Sequence, residues 1–352
     1  MPAPSPEMDS SFAATFPPNA AASGALLLPT DLYRPGTPYV APSVERLATG
    51  ALLPAAPDTA SGGWRKLVFR ASGGKVNPGP SGEEVRYRRL IERIRMPLVE
   101  CHRVAVLSLK GGVGKTTTTV GLGSTLADLR GDRVVAIDAN PDRGTLGSKV
   151  PRSTHHTVRD LLDARANLRR YVDVRRYLSQ AESRLEVLAS DNDPETSRAF
   201  GEADYRAVDE LLQVHFSVLV TDCGTGMLHS AMHAVLELAD TLVIVSTSTA
   251  DGGMSASATL DWLDAHGYGD RVRQAITVIS TFPSSDDAVD VDALERHFSS
   301  RTRAVVRVPH DPHLATGGHI DLDLMRRGTR DAFLELAAAV SDRFGQERPA
   351  AR

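Results

Sequence analysis

The chain has 352 residues, of which 41% are hydrophobic and 24% charged, and its net charge is −4. This size and composition are typical of a globular protein, and the slight acidity argues against a dedicated nucleic-acid binder. Two cysteines are too few for a disulfide framework. We find no secretory leader and no apolar run of about 18 residues, so we expect a cytoplasmic protein.

Residues 1–60 are the first predicted region. They hold 11 of the 21 prolines, with alanine, serine and glycine between them. A segment of this kind buries too little apolar surface to offset the entropy lost on ordering. The composition therefore predicts a disordered tail rich in proline and alanine.

Residues 61–100 are predicted to form an N-terminal extension with one helix. Ser81 and Glu84 fit a capping box, and apolar residues between positions 90 and 94 give the helix one apolar face. Pro97 marks its end.

Residues 101–345 show the pattern of an α/β domain, with apolar runs rich in β-branched residues separated by helical stretches. Continuous apolar strands joined through helices are typical of a parallel sheet. We predict a mostly parallel sheet of seven to eight strands with helices on both faces. The predicted strands are Val104–Leu109, Val134–Ile137, Leu185–Leu188, Val218–Thr221, Leu242–Ser246, Ile276–Ser280 and Ala304–Val308.

The stretch LKGGVGKTT after the first of these strands has the features of a phosphate-binding loop. Gly111, Gly112 and Gly114 permit a tight turn whose backbone N–H groups point at a phosphate. Lys115 then reaches the β- and γ-phosphates, and the Thr116 hydroxyl lies where it can bind Mg²⁺. This pattern predicts a P-loop that binds ATP and Mg²⁺.

The loop departs from the usual P-loop, because Leu109 stands in place of its first glycine and Lys110 follows. The form KGGVGKTT resembles the deviant P-loop of the ParA/MinD superfamily. The resemblance implies an ATP-dependent homodimer in which Lys110 contacts the partner's phosphates. The nucleotide-binding residues that it implies are Lys110, Gly111, Gly112, Val113, Gly114, Lys115, Thr116 and Thr117.

The segment DANPDRG resembles switch I of this superfamily and follows the second strand of the domain. Asp138 ends the strand at the edge of the sheet where open α/β folds bind ligands. The resemblance implies that Asp138 holds a water bound to magnesium. The superfamily has a second carboxylate two residues later to position the attacking water, and Asn140 stands there. Because an amide cannot accept the proton of that water, we expect slow hydrolysis, with Asp138 or Asp142 as alternative groups.

The segment HFSVLVTDCGTG resembles a Walker B strand and switch II. Asp222 ends an apolar strand and would bind Mg²⁺ through water, and Gly224 and Gly226 would let the next loop respond to the γ-phosphate. The predicted catalytic residues are Lys110, Lys115, Asp138 and Asn140, and the predicted metal-binding residues are Thr116, Asp138 and Asp222.

A proline–aspartate loop follows the last predicted strand. Pro309 and Asp311 resemble the loop that holds adenine in this superfamily, although an ordinary turn is the alternative. His310 and His313 lack a third ligand in the pattern, so we interpret them as loop residues and not as a metal site.

Several segments together resemble the MinD-like ATPases that accompany type VII (ESX) secretion loci in actinobacteria. They include GWRKLVFRASGGKVNPGPSGEE, SDNDPETSRAF and SASATLDWLDAHGY, and the similarity runs from about Gly62 to the C-terminal helix. The resemblance implies an accessory or regulatory ATPase with components of a secretion machine as partners.

Two classes of function remain open at this point. The first is an ATP-driven dimerisation switch with slow turnover. The second is a nucleotide-binding scaffold, or a partitioning protein that positions DNA or cargo, with little hydrolysis. Arginine-rich segments such as LRRYVDVRRYL are candidates for DNA contact, but the overall acidity argues against a DNA partner. The mixed charges of the C-terminal segment argue against direct membrane insertion.

Overall fold

Strands and helices alternate along the chain in the computed structural model, which describes residues 59, 63–140, 144–190, 200–282 and 289–345. The predicted tail, except Thr59, lies outside the described residues. The strands are β1 (His102–Leu107), β2 (Val134–Ala139), β3 (Ser179–Gln180), β4 (Glu186–Leu188), β5 (Val218–Cys223), β6 (Thr241–Thr247), β7 (Ile276–Ser280) and β8 (Ala304–Val308).

These strands form one sheet in the order β3-β4-β2-β5-β1-β6-β7-β8. Neighbouring strands are parallel, except that β3 and β4 are antiparallel. Every residue of β1, β2, β5 and β6 is buried, as continuous apolar runs in a parallel sheet require. The predicted fold class is therefore confirmed. The two-residue strand β3 at the edge was not predicted.

Helices cover both faces of the sheet, and each face has its own apolar core. The described helices are α1 (Gly63–Ala71), α2 (Gly82–Ile94), α3 (Lys115–Leu129), α4 (Val158–Ala164), α5 (Tyr171–Val174), α6 (Glu202–Leu212), α7 (Ser230–Leu238), α8 (Ala250–Ala265), α9 (Gly269–Gln274), α10 (Val291–Ser299), α11 (Pro312–Ala315) and α12 (Arg327–Ser341). Helices α3 and α12 cover one face, and α6, α7 and α8 cover the other. Among the described helices, none combines the length and apolar character needed to span a bilayer.

Helix α3, which follows the P-loop segment, is held inside the core of its face. Gly121 lets α12 approach closely, since a Cβ there would lie 2.3 Å from the ring of Phe333. Val113 in the preceding loop is also buried in this core. The amino-terminal end of α3 is thereby fixed beside the carboxyl ends of β1 and β5.

The N-terminal extension contains two helices, α1 and α2, where the sequence predicted one. Helix α1, which was not predicted, carries Trp64 and Leu67 on its exposed surface. Helix α2 shows one of the two hydrogen bonds of the predicted capping box, with Glu84 N donating to Ser81 Oγ at 3.1 Å. It packs on α12, to which Arg93 is joined by a bidentate ion pair with Asp342.

Candidate nucleotide-binding site

The loop between β1 and α3 turns through backbone conformations that favour glycine. Gly112 has φ of 74° and Gly114 has φ of 98°, and Gly114 caps the start of α3. A Cβ placed on Gly111 or Gly112 would have no heavy atom within 4 Å, so open space lies beside the loop. A loop of this shape at a helix amino terminus is suited to an anion such as phosphate.

Lys115 lies within this loop and is only 8% exposed. Its Nζ donates to the carbonyl oxygen of Lys110 at 3.1 Å. Burial lowers the pKa of the Lys115 amine, and the nearby charge of Asp222 acts in the opposite direction. A buried ammonium group close to a helix amino terminus is poised to pair with a phosphate.

Asp138 and Asp222 lie side by side at the carboxyl ends of two adjacent strands. They are register partners across β2 and β5, and they are 1% and 2% exposed. Burial raises the pKa of Asp138 to about 7, and the charge of Asp222 adds to the shift. Burial also raises the pKa of Asp222 to about 6, although Thr116 and Lys115 oppose this shift. Two buried carboxylates on adjacent strands favour the binding of a cation.

The predicted metal-binding residues fit Mg²⁺. Thr116 Oγ1 donates to Asp222 Oδ2 at 2.6 Å and lies 3.1 Å from Thr145 Oγ1. Asp222 Oδ1 is buried and has no hydrogen-bond partner among the described residues. Carboxylate and hydroxyl oxygens are the hard ligands that Mg²⁺ prefers, and magnesium usually retains several waters. Thr116, Asp222 and Asp138 could therefore hold the ion directly or through water.

The backbone holds the Asp138 carboxylate in a fixed orientation. Its Oδ1 accepts from Asn140 N at 3.2 Å and its Oδ2 accepts from Leu146 N at 3.1 Å. A Cβ on Gly144 would lie 1.9 Å from Asp138 Oδ2, so this position admits no side chain. Asp142 lies outside the described residues, and the role of Asn140 in placing a water stays a prediction.

Lys110 forms an ion pair within its own chain, with Asp251 in the first turn of α8. Both side chains are accessible, at 40% exposed for Lys110 and 74% for Asp251. Sequence reasoning missed Asp251, because α8 follows a strand far along the chain and a lone acidic residue in a first helical turn is common.

Thr145 and Lys149 are two further residues of the site that sequence reasoning missed. Lys149 Nζ donates to the carbonyl oxygen of Gly317, so it ties the segment after β2 to the segment after β8. Burial lowers the pKa of Lys149, and Asp222 partly offsets this effect. The only sequence signal for Thr145 and Lys149 is that they follow the DANPDRG segment within a few residues.

Asp311 shapes the loop in which Pro309 lies. Its Oδ1 accepts from His313 N at 2.9 Å and its Oδ2 from Arg326 N at 2.8 Å. Burial acts to raise the pKa of Asp311, but these donors outweigh it and hold the pKa below its usual range. His313 was expected in a loop but lies in the short helix α11, where its Nε2 accepts from Asp321 N. That Pro309 and Asp311 line an adenine pocket stays a prediction.

Comparison with known proteins places this geometry in a family. The model of the CobQ/CobB/MinD/ParA nucleotide binding domain matches residues 104–343. The chain belongs to this family. The predicted resemblance to ParA and MinD proteins is thereby confirmed, and members of this family generally bind nucleotide at a P-loop.

Three relatives illustrate the similarity. The ESX-1 secretion-associated protein EspI of Mycobacterium tuberculosis (strain H37Rv) is 37% identical over 284 residues, which cover 80% of this chain but 42% of EspI. The septum site-determining protein MinD of Synechocystis is 27% identical over 199 residues, which cover 54% of this chain and 72% of that protein. MinD of Pyrococcus horikoshii, solved with Mg-ADP, has the same fold, with a TM-score of 0.55 and 19% identity over 67% of this chain and 94% of that chain.

The similarity to EspI agrees with the predicted resemblance to ATPases that accompany ESX secretion loci. The chain nevertheless spans less than half the length of EspI.

Proposed function

We propose that this protein binds ATP with Mg²⁺, hydrolyses it slowly, and uses the bound nucleotide to control the association of two copies of the chain. The observation that carries this proposal is the meeting of Thr116, Asp138 and Asp222 beside the P-loop lysine. Asp138 and Asp222 are buried register partners at the carboxyl ends of adjacent strands, and two buried carboxylates with raised pKa values in such a position support a functional site.

In this proposal each residue has a separate task. The backbone N–H groups of the glycine-rich loop and the Lys115 ammonium bind the β- and γ-phosphates. Thr116 and Asp222 hold the magnesium ion, and Asp138 holds one of its waters. The bound ion would neutralise charge on the phosphate oxygens and orient them. Asn140 orients the attacking water but cannot take its proton, and turnover is therefore slow.

Lys110 links the nucleotide to dimer formation in this proposal. In the single chain its ammonium group pairs with Asp251 at an accessible position. Release from Asp251 would free Lys110 to reach a phosphate bound by a second copy. Each site would then be complete only in the dimer, because the charge compensation by Lys110 exists only there.

We further propose that the protein acts in the cytoplasm as an accessory to a type VII secretion complex. The similarity to EspI over most of this chain supports this role. A nucleotide-binding scaffold with little hydrolysis is the second candidate, and the amide of Asn140 in the place of a carboxylate favours it.

Calorimetry and single-turnover hydrolysis test the proposal and separate the two candidates. We expect the wild-type chain to bind ATP in a Mg²⁺-dependent manner, and Lys115→Ala to lose binding while keeping its melting temperature. Lys75→Ala, which removes an exposed lysine in the extension, is the matched control. Unchanged affinity in Lys115→Ala would refute the P-loop assignment. Binding without any hydrolysis by the dimer would favour the scaffold.

A further inference from the structure

A groove of about 670 Å³ runs along the outer edge of the sheet, between β8 and α2. Leu90 of α2 and Ala339 of α12 contribute to its apolar lining, and Val305 and Val306 of β8 line its other side. The family domain begins at residue 104, so α2 is an addition to it. The extension therefore creates a surface that the family domain by itself would lack.

Strand β8 is the last strand of the sheet, and among the described residues no strand pairs with its outer side. Thr281 N donates to Val308 O at 2.9 Å, so the backbone groups of Val308 face β7. Because these groups alternate along a strand, the N–H and C=O of Val305 point away from β7. An unpaired edge of this kind is a template for an added strand.

Three arginines lie on the rim of the groove, and one of them has no ion-pair partner among the described residues. Arg86, Arg89 and Arg93 lie along α2 beside the groove. Arg86 pairs with Glu335 and Arg93 with Asp342, whereas Arg89 has no ion-pair partner among the described residues. A cation without a partner beside an apolar groove favours an acidic ligand over a basic one.

We propose that the outer edge of β8 binds an extended, acidic segment of a partner protein as an added strand. Backbone hydrogen bonds to Val305 provide affinity, the apolar lining receives alternate side chains, and Arg89 pairs with a carboxylate. An extended segment fits because the free groups of Val305 present one donor and one acceptor in the plane of the sheet.

The probe is a fluorescein-labelled peptide of about seven residues in which valine alternates with glutamate, a length typical of a strand. Its binding to the nucleotide-free, full-length chain is followed by fluorescence polarisation. Two comparison peptides carry lysine in place of glutamate, or N-methyl groups on alternate backbone amides. The assay needs no ATP, so its outcome is independent of the proposed ATPase function.

Two variants test the two halves of the inference. Val305→Pro removes the N–H that points outward but removes no hydrogen bond between β8 and β7. Proline is tolerated at such positions of an edge strand. Val305→Ala keeps the N–H and is the control for this variant. Arg89→Glu reverses the free charge, and its control is Arg176→Glu, an exposed arginine just before β3 at the opposite edge of the sheet.

We expect Val305→Pro and Arg89→Glu each to weaken binding by about tenfold or more, and the two controls to change it little. We also expect the lysine and N-methylated peptides to bind weakly. Lack of binding up to about 1 mM, or equal affinity for the lysine peptide, would overturn the proposal. If Val305→Pro fails to fold, the Arg89→Glu variant and the N-methylated peptide test the proposal in its place. The proposal would also be refuted if Arg89→Glu bound the acidic peptide as tightly as wild type and the wild type bound the N-methylated peptide equally well.

Discussion

The burial of Asp138 beside Asp222 predicts an unusual pH dependence of stability in the nucleotide-free chain. The pKa of Asp138 is raised from 3.8 to about 7. A carboxyl group with a raised pKa contributes stability that is fully present below pH 3.8 and is lost as the pH rises through about 7. Asp138→Asn should remove the part of this dependence that arises from Asp138, because the amide stays neutral over the whole range, whereas Asp222, whose pKa is raised to about 6, keeps its own part.

The size of the effect follows from the shift. About three pKa units correspond to about 4 kcal/mol of penalty on the ionised carboxylate above pH 7. The substitution also costs about 1–2 kcal/mol, because the amide cannot accept from both Asn140 N and Leu146 N. The net expectation is a gain of about 2 kcal/mol near pH 8, or about 3 °C in melting temperature for a chain of this size. Near pH 5 we expect no gain.

Thermal unfolding without nucleotide or Mg²⁺, at both pH values, measures this effect. Asp311→Asn is the matched control: the pKa of Asp311 is lowered from 3.8, so its carboxylate is ionised at both pH values and its loss should destabilise the chain equally at both. The addition of Mg²⁺ and a non-hydrolysable ATP analogue should stabilise the wild type far more than Asp138→Asn. Equal destabilisation of Asp138→Asn at both pH values would refute the reasoning.

Four other changes test the remaining parts of the proposed switch. Lys110→Ala should bind ATP as a monomer but fail to dimerise with a non-hydrolysable analogue, and sedimentation of a dimer as tight as wild type would contradict this. Asp251→Ala should free Lys110 and lower the protein concentration needed for the dimer in the same assay. Asn140→Asp should raise single-turnover hydrolysis, because a carboxylate can accept the proton of the attacking water; an unchanged rate would show that another step limits turnover. Deletion of residues 1–60 should leave ATP affinity and melting temperature nearly unchanged, and a large drop in melting temperature would show that the tail packs on the domain.

Much of the fold could be predicted because buried parallel strands leave a strong local signal. The seven apolar runs chosen from the sequence all coincide with strands. Strand β3 has two residues and gains its structure only by pairing with β4, so it has no such signal. Helix α1 carries Trp64, Leu67 and Val68 at helical spacing, a signal that the prediction did not use.

The sequence by itself determined the P-loop, since its chemistry is contained in one short turn. The positive φ angles of Gly112 and Gly114, the helix that starts at Lys115 and the hydroxyl of Thr116 all follow from neighbouring residues. A strand, a glycine-rich turn and a helix start are sufficient to indicate an anion-binding loop.

The tertiary structure brings distant groups together at that loop, and of these only Asp138 and Asp222 were predicted, from the resemblance to a family. Asp138 and Asp222 become neighbours because β2 and β5 pair in one register, and a slip by one residue would turn one carboxylate to the other face. Asp251 meets Lys110, and Lys149 meets Gly317, through segments far apart in the chain. The groove beside β8 exists only because α2 packs on α12. Contacts of this kind depend on strand order and helix packing, which no local pattern of residues specifies.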